Sequence, residues 1–262
     1  MLEIVGLNVR FGGVAALSNV SLKIEAGQIV GMIGPNGSGK TTMLNAISKQ
    51  VRVSQDSTII FCERDLKGRS SSQIIRLGIA RTFQAPEVCG EESVLETVIT
   101  GGHHRNDSSL IWCFLGDFRG RRAARDILLE AMELVKEFEI EDWANQKMSQ
   151  VPYAIAQRAQ ICRAVMAHPK LLLLDEAASG MTPSEKDQLR LAILRLRDER
   201  KITMLIIEHD VSFLSDDLSD VMVALDAGKV IAHGLPGDVL RDPAVVTAYL
   251  GSKAAAAVTR GD

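Results

Sequence analysis

Residues Gly34-Pro35-Asn36-Gly37-Ser38-Gly39-Lys40-Thr41-Thr42 follow directly on the apolar run Ile29-Val30-Gly31-Met32-Ile33. The stretch has the form of a phosphate-binding loop between a buried strand and a helix. Glycines let the backbone turn through conformations that a β-carbon forbids, so successive N–H groups can face an anion from the N-terminus of the following helix. Lys40 adds a point charge toward the outer phosphates, and the Thr41 hydroxyl suits a magnesium ion that keeps several of its waters. The pattern predicts a phosphate-binding loop. An ordinary glycine-rich turn shares the loop's composition, so the remainder of the chain has to decide.

The chain has 262 residues, enough for one large α/β domain or a nucleotide domain carrying a subdomain. Hydrophobic residues make up 46% and charged residues 24%, and the formal net charge of −3 leaves no electrostatic footprint for DNA or RNA. No nucleic-acid partner is expected. The start Met1-Leu-Glu-Ile-Val lacks the basic and apolar regions of an export signal and reads as a first strand. The longest apolar runs, at 171–174 and 204–207, fall well short of the roughly 20 residues that span a bilayer. Any membrane association is therefore expected through partners. Cys62, Cys89, Cys113 and Cys162 have no paired spacing, which argues for reduced thiols and against a zinc site or disulfide frame.

Period-two alternation through Leu2, Ile4 and Leu7, then Val9 and Phe11, then Val20, Leu22 and Ile24, predicts an antiparallel sheet leading into the loop strand. A helix is expected over 41–50 and a short strand over 57–62. From about Ala85 to Met148 dense charge and helical spacing indicate a helical insert, in which Leu128, Met132, Val135 and Phe138 are expected to form a core face. The runs 171–174 and 202–207 are apolar throughout, as in central parallel strands covered on both faces. Between them, Thr182-Pro183-Ser184-Glu185 has the form of a capping box with proline in the first turn, followed by a buried face of Leu189, Ile193 and Leu196. Ala248-Tyr249-Leu250-Gly251 reads as a helix end, and the residues after it as a frayed tail.

The acidic pair Asp175-Glu176 follows a buried strand at its carboxyl end, where open α/β sheets place ligands. Asp175 suits magnesium through water, and Glu176 suits the water that attacks a γ-phosphate. Glu208-His209-Asp210 closes the other buried strand, and His209 could contact the γ-phosphate and sense its loss. Gln84 falls where core and insert meet, where an amide could bind both magnesium and the attacking water.

In this order the elements resemble the ATP-binding subunits of ABC transporters over nearly the whole chain, Leu2 to Gly251. The resemblance implies an α/β fold: a P-loop NTPase core of ABC ATPase type with an antiparallel β subdomain and an inserted helical subdomain. The ATPase domain would run over 1–251, with 1–84 and 166–251 as nucleotide-binding core, 85–165 as helical subdomain, and 252–262 as flexible tail. It assigns Phe11 to adenine stacking, Gly34 to Thr42 to ATP phosphates, Gln84 to the glutamine loop, Asp175 and Glu176 to the acidic strand end, and His209 to the switch. The phrases Val9-Arg-Phe-Gly-Gly13, Leu77-Gly-Ile-Ala-Arg-Thr-Phe-Gln84, Leu205-Ile-Ile-Glu-His-Asp-Val211 and Ala248-Tyr-Leu-Gly251 are similar to ATPases of branched-chain amino-acid importers, a group that includes urea and short-amide importers. The lipopolysaccharide-export ATPases share the last phrase, and a soluble ATP-dependent switch protein is the alternative from another class. The resemblance further implies ATP and Mg2+ as cofactors, a second ATPase subunit, two membrane-spanning permease subunits, an extracytoplasmic solute-binding protein, and a place on the cytoplasmic face of the membrane.

The family signature, usually Leu-Ser-Gly-Gly-Gln or Leu-Pro-Tyr-Gly, stands here as Val151-Pro-Tyr-Ala-Ile-Ala-Gln157. Ala154 replaces a glycine that lets backbone approach the γ-phosphate, and Ile155-Ala156 replace polar groups. Each charged-group hydrogen bond forgone costs about 1–3 kcal/mol. Family members pair head to tail, so the altered signature predicts a heterodimer with one dominant hydrolytic site. Ala177 replaces a common proline and Thr182 an Asp or Asn, neither of which removes a phosphate or metal ligand. The patch Leu110 to Leu115 is expected to pack within the insert, with a groove for a permease helix as its functional alternative. His103 and His104 lack further ligands at metal spacing.

Overall fold

A computed structural model of the chain describes residues 1–82, 91–102, 118–214 and 217–250. The chain divides into two compact units, Met1–Ile74 with Leu196–Asp262, and Ile75–Arg195.

In the first unit, β1 (Leu2–Phe11) and β2 (Val14–Ile24) pair antiparallel across the Gly12-Gly13 turn. Leu2, Ile4, Leu7 and Val9 of β1 are buried between exposed or half-buried neighbours, with the register slipping near Gly6, where the side-chain alternation shifts by one residue. Strands β4 (Thr58–Phe61) and β5 (Arg64–Asp65) extend this sheet in the order β2-β1-β4-β5. The expected antiparallel sheet is present. A second sheet runs through β3 (Ile29–Ile33), with β8 (Thr203–Ile207) and β9 (Val221–Asp226) parallel on its two sides. β10 (Lys229–Gly234) pairs antiparallel with β9. Every residue of β3 and β8 is buried, which explains their unbroken apolar sequences. Helix α1 (Lys40–Ile47) leaves the loop after β3, and α7 (Pro236–Arg241) and α8 (Pro243–Leu250) close the unit.

The second unit begins within α2 (Ser71–Leu77) and pairs β6 (Ile79–Arg81) parallel with β7 (Leu171–Asp175). Its helices are α3 (Val94–Thr100), α4 (Phe118–Glu137), α5 (Tyr153–Val165) and the greater part of α6 (Pro183–Asp198). The capping box at α6 forms as its sequence predicts: the Thr182 backbone N–H and hydroxyl each donate to Glu185 Oε2 at 2.7 Å, and Leu189, Ile193 and Leu196 are buried. These hydrogen bonds hold the Glu185 carboxyl below its usual range. A second capping box, Ser93 with Glu96, starts α3.

Helix α4 departs from expectation. Val135 and Phe138 are buried, but Leu128 is 39% exposed and Met132 53% exposed, with Leu129 also outside. The buried face is Ala131, Leu134, Val135 and Phe138. At about 100° per residue Met132 lies roughly 100° from Ala131, beyond that stripe. Small Ala131 is fully buried on this helix, which packs on α3 and α5, and a reading weighted toward large apolar side chains passes over it.

Candidate nucleotide site

The phosphate loop lies in the first unit, at the carboxyl ends of the parallel strands. Gly34 is wedged there: a β-carbon on it would stand 2.2 Å from the Leu225 carbonyl oxygen and 2.6 Å from Ser38 Oγ. Gly39 enters α1 at φ +107°, a left-handed conformation that L side chains rarely adopt, and no side chain caps the helix. The amino end of α1 is thereby left to backbone N–H groups. Lys40 is buried and its Nζ donates to the carbonyls of Gly34 at 2.7 Å and Pro35 at 3.1 Å. Ser38 Oγ is buried with no hydrogen-bond partner among the described residues. A cation curled onto its own loop, an orphaned hydroxyl and a helix start without a cap fit an anionic ligand.

Residues Asn36 and Gly37 are exposed, while Pro35, Thr41 and Thr42 are half-buried around the loop. In the β3–β8 register Met32 pairs with Ile207, so Gly34 and His209 each follow two residues later from adjacent parallel strands. His209 is exposed, whereas Glu208 before it is buried. Phe11, at the hairpin end of β1, is 51% exposed, and an accessible aromatic face is what stacking on a base requires. The β2 backbone comes close to the loop, since a β-carbon on Gly39 would meet the Ala16 carbonyl at 2.7 Å.

In the second unit Asp175 closes β7 and Glu176 follows it at φ +54°, a left-handed backbone that Glu63 and Glu139 also adopt. Asp175 is buried, its Oδ2 accepting from Arg81 at 2.9 Å, and its N–H donates to Thr82 Oγ1 at 3.5 Å. The α5 start has Pro152 as N-cap with no side-chain hydrogen bond, and the N–H groups of Ile155 and Ala156 donate to the Pro152 carbonyl at 3.0 and 3.1 Å. Ala154 and Ala156 are buried. Gln157 donates to the Tyr153 hydroxyl at 2.7 Å. Buried Arg158 donates to the carbonyls of Phe138 and Glu185 and to Gln188 Oε1 at 2.7 Å. Burial pushes the Arg158 guanidinium below its ordinary pKa, with Glu139 and Glu185 opposing the shift.

Gln84, His103, His104, Cys89, Cys113 and the Leu110–Leu115 patch lie outside the described residues, as do Gly251 and the tail. Two contacts escaped the sequence reading. One is the Arg81–Asp175 pair, for which a cation on a short strand beside an acid-ended one is the sequence signal. The other is at the helix end, where the Tyr249 hydroxyl accepts from the Gly34 N–H at 2.6 Å. A polar-tipped aromatic among Ala, Val and Leu was the available cue.

Comparisons with known proteins give the same outline. The family model described as "ABC transporter" matches residues 17–179, and one described as "Branched-chain amino acid ATP-binding cassette transporter" matches 229–255. The chain is 34% identical to the high-affinity branched-chain amino acid transport ATP-binding protein BraF of Pseudomonas aeruginosa, over 96% of this chain and 98% of BraF. It is 35% identical to LivG of Salmonella typhimurium, over the same shares of the two chains. Among solved structures, MJ1267 in its ADP conformation, an ATP-binding cassette of an ABC transporter, matches with a TM-score of 0.81 at 27% identity. That match covers 96% of this chain and 99% of MJ1267.

Proposed function

We propose, from the premise that this chain belongs to the ABC transporter family, that it is the ATP-hydrolysing subunit of an importer for branched-chain amino acids. The observation that carries the reading is the loop, where buried Lys40 is held by carbonyls it can exchange for phosphate oxygens. The names of BraF and LivG supply the solute class. ATP would lie with its adenine on Phe11 and its phosphates against the backbone from Gly34 to Thr42 and the Lys40 charge. Thr41, Gln84 and Asp175 would hold Mg2+, which offsets phosphate charge during transfer. Glu176 accepts a proton from the attacking water, and His209 contacts the γ-phosphate. Asp175 can serve through water while Arg81 holds its Oδ2, since magnesium keeps several waters of its own.

Among the described residues no helix is long and apolar enough to cross a membrane. The chain would act at the cytoplasmic face through two permease subunits supplied by a solute-binding protein. The altered α5 start supports a further step: this chain gives Lys40, Glu176 and His209 to one site and an impaired signature to the other, so its working form is a heterodimer. Co-purification with native partners and reconstitution into vesicles tests the reading. Hydrolysis should rise when leucine-loaded binding protein is present. Failure to recover any membrane partner would instead favour a soluble ATP-dependent switch.

A further inference from the structure

We infer that Tyr249, near the end of α8, is a positioning residue for the phosphate loop, clamping the Gly34 peptide from the far end of the sequence. The inference rests on the ATP-binding reading above. Ile33 forms the last β3 pair with β9, opposite Ala224, so the Gly34 N–H lies just past the ladder. The Tyr249 hydroxyl takes that donor at 2.6 Å, across 215 residues of sequence. The Gly34 carbonyl is held by Lys40 Nζ. Both polar groups of one backbone residue are thus held by side chains.

The two clamps differ in what ATP does to them. Lys40 has to leave the Gly34 carbonyl to face a phosphate, whereas the Gly34 N–H already donates to Tyr249, which leaves the phosphates to the backbone N–H groups that follow Gly34. Tyr249 is then the side chain that keeps the Ile33–Gly34 peptide plane fixed while Lys40 releases the carbonyl of the next one. Tyr249 itself is 37% exposed, and Val245, one helical turn earlier on the same face of α8, is buried and anchors the helix. Burial also raises the phenol pKa, so the hydroxyl stays protonated at working pH.

The full chain and Tyr249→Phe are compared for ATP affinity, for KM and kcat in the assembled complex, for melting without nucleotide, and for exchange of the Gly34 amide. Phenylalanine keeps the ring and removes the acceptor. The expected result is a KM for ATP raised about three- to tenfold, kcat within twofold, and faster Gly34 exchange, since a buried amide donor has lost its partner. A lowered melting temperature with unchanged KM would mean that Tyr249 only anchors α8, and would overturn the inference. Equal ATP binding by both proteins would overturn it while leaving the function intact. Absence of ATP binding by the unsubstituted chain would overturn the functional reading and the inference with it.

Discussion

Two helix starts in this chain differ in what they offer an anion. Helix α1 is entered through Gly39 at φ +107°, with no capping side chain and with buried Lys40 as its first residue. Helix α5 is entered through Pro152, and Ala154 and Ile155 follow where the family signature carries glycine and a polar residue. Both have an amino-terminal dipole, so dipole alone does not make a phosphate site. Close backbone approach and a nearby charge do, and only α1 has both. Under the heterodimer proposed above, this contrast is what would make a chain with an intact phosphate loop depend on another subunit's signature.

Changes at the intact end should have the largest effects. Glu176→Gln in this chain should lower hydrolysis by the assembled complex at least about 100-fold, the scale of a lost general base, while ATP still binds and holds the pair closed. Undiminished phosphate release would remove Glu176 from that role. Gly34→Ala drives a β-carbon to 2.2 Å from a carbonyl oxygen. It should weaken ATP binding at least about tenfold and cost about 1–3 kcal/mol, seen as a melting point several degrees lower. Normal binding would mean that the loop is more pliant than its packing implies.

The altered end should respond in the opposite direction. Ala154→Gly with Ile155→Gln restores backbone approach and a polar group, and should raise turnover at the site served by this signature by about three- to tenfold. No gain would place the deficit elsewhere in α5. The smallest effect belongs to the α6 cap. Thr182→Ala should cost about 1 kcal/mol at neutral pH. Because the folded Glu185 pKa is depressed, its share of that stability is present above the unfolded value and is lost as pH falls through the folded one, so the difference between the two proteins should narrow below pH 4.5. Glu185 is largely exposed, and solvent screening keeps this share small. Melting curves at neutral and acid pH measure it.

The contrast between the helix starts was legible in the sequence because it depends on local chemistry: glycines at the loop, and Ala154 where a glycine was expected. The antiparallel sheet and the α6 capping box were legible for the same reason, being set by short-range alternation and spacing. What escaped was set by packing over long sequence distances. The Tyr249–Gly34 bond joins opposite ends of the chain, and Arg81 meets Asp175 across the β6–β7 pairing. The α4 face differs from the expected one because Ala131 gives a weak periodic signal yet is fully buried.

Phosphate release per subunit, by the purified chain alone and after assembly with its partner ATPase, tests the central claim most directly. The account predicts slow turnover alone, at least tenfold faster turnover on assembly, and one dominant site that Glu176→Gln in this chain silences. A symmetric homodimer of this chain, fully active with two equivalent turnover sites, would contradict it.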